Sequence, residues 1–274
     1  METTTASSML EQESSALDDV LSGLSPQQWT LQTPSPGWTI ADQIAHLHWT
    51  DIVSTQTVTK DPAFDALRDR VASGENPQLI DDEAHRIAAQ PAEELLEAWR
   101  AGRQRLRSAL EAADPAVKIT WFGPSMRPAT MLTARIMETW AHGLDVFDAL
   151  GKDKPAGPAL AAVARIGERT RGFSFANHGL EVPTEDVRVE LSMPDGDGLT
   201  FGPEDAANRV TGTAWAFAAV VTQRRHIDDV ELAAEGAIAE EWMRIAQAFA
   251  GPPTRGPAPG QRIAAADSST GERD

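Results

Sequence analysis

Residues Ala134–Gly151 read ARIMETWAHGLDVFDALG. The run ends in glycine, the residue that most readily closes a helix in the left-handed conformation. At about 100° per residue, Leu132, Ile136, Trp140, Phe147 and Leu150 fall on one stripe, with Leu144 at its edge. That stripe predicts a core-facing helix over Ala129–Leu150. Glu138 and His142 sit four residues apart off the stripe, and Asp145 follows three residues later. As a surface pair, Glu138 and His142 contribute only a few tenths of a kcal/mol. Met131, Val146 and Ala149 flank them, however, so their side of the helix is partly apolar. Asp145, Asp148 and Lys152 form the line expected to meet water.

Outward from this helix, the N-terminal half reads as helical throughout. Apolar positions recur at helical spacing over Ser8–Leu24. The Pro/Gly stretch TPSPGW gives way to Thr39, a natural cap, and a helix predicted over Ile40–Val58. Shorter helices are expected over Pro62–Ser73 and Leu79–Ala89, and a long one over Pro91–Ala113 with proline at its first turn. WFGPSMRP (Trp121–Pro128) is a loop. Four main helices suggest a bundle. The second half changes character. One helix is expected over Pro158–Ala176. VRVELSM (Val187–Met193) then alternates as a half-buried strand does, PDGDG turns, and LTF begins a partner strand. Thr213–Arg224 is apolar and helix-like, Val230–Ala234 a strand and Ala237–Ala250 an amphipathic helix. The expected class is α+β: a four-helix bundle over 1–153, a small α+β domain over 154–252 and a disordered tail over 253–274.

Composition removes several functions. The net charge is −17, and no Lys/Arg cluster offsets it, so nucleic acid and anionic membranes are excluded as partners. No apolar run is long enough to span a membrane, and METTTASSMLEQESS lacks the basic start of a secretion signal. A cytoplasmic protein is expected. The chain has no cysteine, so any thiol chemistry needs an external thiol. No phosphate-binding glycine loop, dinucleotide fingerprint or GxSxG elbow occurs.

A Glu and a His one turn apart suit a divalent metal, which needs a third ligand from elsewhere. His46 and His48, in IAHLHW, are the candidates, and spacing alone does not choose between them. His85 reads as solvated, His178 as part of a helix C-cap. Arg224 and Arg225, in TQRRHIDD, read either as cations at a helix C-terminus or as an anion clamp. Asp145 is placed to accept a ring N–H from a ligand histidine, or to be solvated.

GWTIADQIAHLHWTD (Gly37–Asp51) resembles the second-helix motif of the DinB-like metalloprotein superfamily. ETWAHGLDVFDALG (Glu138–Gly151) resembles the fourth-helix motif of the branch containing mycothiol-dependent maleylpyruvate isomerase. VRVELSMPDGDGLTFGP and VTGTAWAFAAVVTQRRHIDDVELAAEG follow the order of that family's C-terminal domain. The likeness spans nearly all of residues 8–250 and is greatest to actinobacterial proteins described as metal-binding. It implies a DinB-like bundle holding zinc, or nickel or another divalent ion, through His46, Glu138 and His142. It also implies mycothiol as a cofactor. The function expected is a metal-dependent enzyme acting on a small, anionic substrate by isomerisation or thiol transfer, as a monomer or homodimer, with a role in specialised metabolism open. The alternatives are a non-catalytic metal- or ligand-binding module and a metal-dependent hydrolase. His48, Trp49, Trp121, Arg224 and Arg225 are the expected substrate-pocket residues.

Overall fold

The computed structural model describes residues 2–261. The chain divides into two units, the division falling between Lys152 and Asp153. The first unit runs α1 (Thr3–Leu21), α2 (Pro26–Trp29), α3 (Ile40–Thr59), α4 (Pro62–Ser73), α5 (Leu79–Ala88), α6 (Ala92–Ala112) and α7 (Pro128–Ala149). The four long helices α1, α3, α6 and α7 form the bundle, with α5 laid along α3.

Local chemistry sets the two helices that matter most. Thr39 opens α3 with a capping box. The Thr39 N–H donates to Asp42 Oδ2 at 2.8 Å, and the Asp42 N–H donates to Thr39 Oγ1 at 3.3 Å. Lys60, in the left-handed conformation, closes it. Pro128 occupies the first turn of α7, where its missing N–H costs nothing. Gly151 follows at φ 61°. Helix α7 is buried on nearly every side, because α1, α3 and α6 all pack on it. Asp145 and Asp148, expected on a wet line, are therefore buried. The single-stripe reading fails because a helix enclosed by three partners has no solvent face.

The second unit comprises α8 (Ala159–Arg169), α9 (Arg171–Asn177), β1 (Val187–Ser192), β2 (Gly198–Phe201), β3 (Asn208–Thr213), α10 (Ala214–Val221), β4 (Leu232–Glu235) and α11 (Ala237–Ile245). A short 3₁₀ turn, Ile227–Asp229, precedes β4. The sheet order is β2-β1-β3-β4, with β1 and β3 parallel and the outer pairings antiparallel.

The second unit departs from the sequence expectation at several points. The helix expected over Pro158–Ala176 breaks at Thr170, whose φ −91° and ψ 5° leave the helical well. Its hydroxyl donates back to the Ile166 carbonyl at 2.9 Å, a local bond that competes with helix continuation. The central strand β3 was not expected. Its sequence NRVTGT carries one large apolar residue, Val210, and a glycine at a place where a Cβ would lie 2.2 Å from the Glu231 carbonyl oxygen. The last helix stops at Ile245. Beyond it, the Gln247 side-chain amide donates to the Phe249 and Pro252 carbonyls. Within the segment expected as a tail, Thr254 Oγ1 donates to Gln223 Oε1 at 2.6 Å, and the Gly260 N–H donates to Asp229 at 2.8 Å. Residues 262–274 of that segment lie outside the described residues.

Candidate metal centre

Helices α3 and α7 run in opposite directions, and the residues they place opposite one another build the site. His46 comes from α3, and Glu138 and His142 from adjacent turns of α7. One ligand atom from each lies within 4.8 Å of the others. Glu138 Oε2 is 3.2 Å from His142 Nε2 and 3.8 Å from His46 Nε2. The imidazole centroids are 4.6 Å apart. Two ligands each about 2.0–2.1 Å from one zinc ion at a tetrahedral angle stand roughly 3.3–3.4 Å apart. The Glu138–His142 separation matches that spacing, and the Glu138–His46 separation is a few tenths of an ångström longer. Burial pushes the Glu138 carboxyl up, but hydrogen bonds from His142 and His46 and their charge outweigh it and hold it well below the usual range. An anionic carboxylate facing two imidazoles is a donor set for a divalent cation, and the surface ion pair is not what this helix carries.

A buried side-chain network supports His142. His142 Nδ1 donates to Gln43 Oε1 at 2.5 Å. Gln43 is fully buried, and its amide nitrogen donates to Thr33 Oγ1 at 2.8 Å. Asp145 accepts from Ser35 Oγ at 3.0 Å. The usable signal for Gln43 was its place in line with Ile40 and Leu47, since a polar side chain on a core face needs a partner.

Two tryptophans flank the triad. The Trp38 indole stacks on His142 with centroids 5.9 Å apart and 17° between planes, and tilts over His46 at 5.3 Å. Its Nε1 donates to Asp81 Oδ1 on α5 at 3.2 Å. Trp49 stands 6.3 Å from His46 on the same helix. The Pro/Gly stretch before Trp38 reads in sequence only as a break between helices, and nothing in it shows that the loop folds back over the triad.

The remaining candidates have their own surroundings. His48 turns to α6, where a Cβ on Gly102 would stand 2.9 Å from its Nδ1. Burial, with the Arg105 charge, holds the His48 imidazole below its ordinary value. Trp121 packs with Phe64 (6.0 Å, stacked) and Phe122 (5.0 Å) in the bundle's aromatic core. His85 is half exposed, with Nδ1 2.8 Å from Asp42 Oδ1. In the second unit, His178 is the C-cap of α9. Arg224 donates to the Thr222 carbonyl and Arg225 to the Arg224 carbonyl, each at 2.8 Å. The Thr222 carbonyl belongs to the C-cap of α10, and Arg225 also lies over the Trp215 ring. No helix among the described residues is long and apolar enough to cross a membrane.

An antiparallel helix pair inside a bundle thus carries a His/Glu/His cluster that could hold a metal ion. The profile of the family described as mycothiol maleylpyruvate isomerase N-terminal domain matches residues 10–147. The chain belongs to that family. It is 48% identical over 248 residues to the uncharacterized protein MT0041 of Mycobacterium tuberculosis strain CDC 1551 / Oshkosh, covering 90% of this chain and 96% of that one. The same identity and coverage hold for the uncharacterized protein Rv0036c of strain H37Rv. Among solved structures, a crystal structure of mycothiol-dependent maleylpyruvate isomerase superposes with TM-score 0.60 at 16% identity, covering 85% of this chain and 93% of that one. A variant of that isomerase with one histidine changed to alanine also matches, with TM-score 0.60 at 15% identity and the same coverage. At such identities the likeness establishes the fold.

Proposed function

We propose that the protein is a divalent-metal-dependent enzyme that uses mycothiol in an isomerisation or thiol transfer on a small anionic molecule. The observation that carries this reading is the convergence of His46, Glu138 and His142, whose ligand atoms lie within 4.8 Å of one another. Two histidines and one carboxylate are the protein ligands of a zinc site that keeps an open position. The residues therefore suit the ion, and zinc is the first choice. When bound, the ion supplies Lewis acidity and lowers the pKa of a thiol presented to it.

The chain's own residues do the rest. Glu138 brings one negative charge, and the two imidazoles bring none when they act as ligands. A divalent centre so held keeps one net positive charge, which favours a thiolate or a carboxylate as partner. Trp38 and Trp49 limit water beside the ligand rings and present flat apolar faces to a small molecule. The thiol comes from outside, since the chain has no cysteine. The names of the family and of the solved isomerase point to mycothiol. A cytoplasmic location accords with a metabolic role of this kind.

The test begins with elemental analysis of protein purified without chelator. Wild type and His48→Ala are expected to carry stoichiometric metal, and His46→Ala, Glu138→Ala and His142→Ala to lose it. Cobalt-substituted wild type is then titrated with mycothiol and followed by visible absorption. A new sulfur-to-cobalt charge-transfer band is expected. Wild type without metal would end the metal reading, and a spectrum indifferent to mycothiol would end the thiol reading.

A further inference from the structure

We infer that Gln43 is a positioning residue that fixes the tautomer of His142 and ties this ligand to the loop carrying Trp38. Its consequence for metal rests on the reading above; its geometry does not.

The directions of the hydrogen bonds follow from one end of the chain. The Trp38 carbonyl can only accept, so the Thr33 hydroxyl, 2.8 Å away, donates to it. That hydroxyl has one proton, so toward Gln43 it accepts, and the amide NH₂ of Gln43 must face it at 2.8 Å. The amide oxygen then faces His142. An oxygen there forces the proton of a neutral His142 onto Nδ1. In the neutral ring Nε2 is then the nitrogen left to face a metal, 3.2 Å from Glu138; a second proton on Nε2, donated to Glu138, gives the imidazolium. Each direction is dictated by the one before, and burial of Gln43 and Thr33 shields the network from exchange with water.

The same network holds the wall of the site. The Thr33 N–H also donates to the Trp38 carbonyl at 2.8 Å, and the Trp38 N–H to the Ser35 carbonyl at 3.1 Å. Ser35 is itself bound to Asp145 on α7. The loop over residues 33–38 is thus pinned to α7 through Gln43–His142 and through Ser35–Asp145, and its Trp38 ring stacks on the imidazole that Gln43 orients. An amide rather than a carboxylate behind His142 adds no negative charge, so the centre keeps its single positive charge for a thiolate or carboxylate.

The test is made first on metal-free protein labelled with ¹⁵N at histidine, at a pH where the imidazoles are neutral. Long-range proton–nitrogen correlations report which ring nitrogen carries the proton, and His142→Ala assigns the signals. Wild type is expected to show His142 protonated at Nδ1, as is Gln43→Glu, which keeps an acceptor. Gln43→Leu offers none, and its proton is expected to move to Nε2 or spread over both nitrogens. Zinc affinity, read by chelator competition, is expected to weaken about 10- to 100-fold in Gln43→Leu, the usual effect of losing such a partner. A wild-type proton on Nε2, or a Gln43→Leu variant with unchanged tautomer and unchanged affinity, overturns the inference. Should Gln43→Leu not fold, Thr33→Val frees the amide to rotate. Loss of the single tautomer then supports the inference and its retention overturns it. If wild type shows the Nδ1 proton but binds no zinc, the positioning stands and the metal reading falls.

Discussion

Asp51 and Arg135 form a buried ion pair between α3 and α7, one turn from Glu138. Arg135 donates from Nε to Asp51 Oδ1 at 3.1 Å, and the side chains are 3% and 7% exposed. With Gln43–His142 and His46–Glu138, this is a third rung between two antiparallel helices. Sliding one helix past the other would break all three rungs and leave both charges buried and unpaired. The pair therefore sets the register that brings the metal-type ligands together.

Arg135→Met is expected to destabilise the protein by about 3–5 kcal/mol, because it leaves the Asp51 charge buried without a partner. The double variant Asp51→Leu with Arg135→Met should cost far less, since both charges leave together. Denaturant midpoints of the two variants check this. Equal losses in the single and the double variant would show that packing, and not charge pairing, is what Arg135 supplies.

A second ion-pair cluster gives stability a pH dependence. Burial pushes the Asp18 carboxyl up, but hydrogen bonds and charge from Arg100 and Arg103 outweigh it, so its folded-state value lies below the ordinary 3.8. A lowered carboxylate pKa stabilises the fold fully above the unfolded value, and the contribution fades as pH falls through the lower folded value. The stability gap between wild type and Asp18→Asn should therefore be wide at neutral pH and narrow progressively below the ordinary carboxylate value. Urea midpoints at neutral and acid pH measure it. A gap independent of pH contradicts the assignment.

Most of the bundle was legible because its helices carry apolar periodicity and explicit punctuation: Thr39 before α3, Pro91 before α6 and Gly151 after α7. The metal-type triad was legible in part, with Glu138 and His142 paired by spacing. The choice of His46 over His48 came from resemblance, and the structure gives its physical side: His46 faces α7, while His48 faces Gly102 on α6. What stayed hidden depends on contacts distant in sequence. Asp145 and Asp148 read as wet only if α7 has a free face. Gln43 and Thr33 acquire meaning through a histidine about a hundred positions away. Strand β3, nearly devoid of large apolar residues, exists because β1 and β4 pair with it on either side.

Metal removal should be visible in stability. An ion that binds the folded state alone adds about 2.7 kcal/mol when its free concentration is a hundred times Kd. Chelation is expected to lower the unfolding temperature of wild type and His48→Ala, and to leave His46→Ala and His142→Ala unmoved. Differential scanning calorimetry with and without added zinc makes the comparison. A shift of the same size in all four proteins would place the bound ion somewhere other than the triad.

At Gly102, α6 lies so close to α3 that a Cβ would stand 2.9 Å from His48 Nδ1 and 3.2 Å from its Cε1. The imidazole is buried between the helices, so it has little room to withdraw. Gly102→Ala gains helix propensity, worth at most about 1 kcal/mol. Against this stands overpacking, which costs about 1–3 kcal/mol in a filled core. Net destabilisation is expected, read as a lower denaturant midpoint. His48→Ala removes the obstructing ring and leaves a cavity, so it too destabilises alone. Combined, the added methyl occupies part of the space the ring vacates, and the double variant should be more stable than the sum of the two single losses implies. Additive losses would mean that the two residues do not meet.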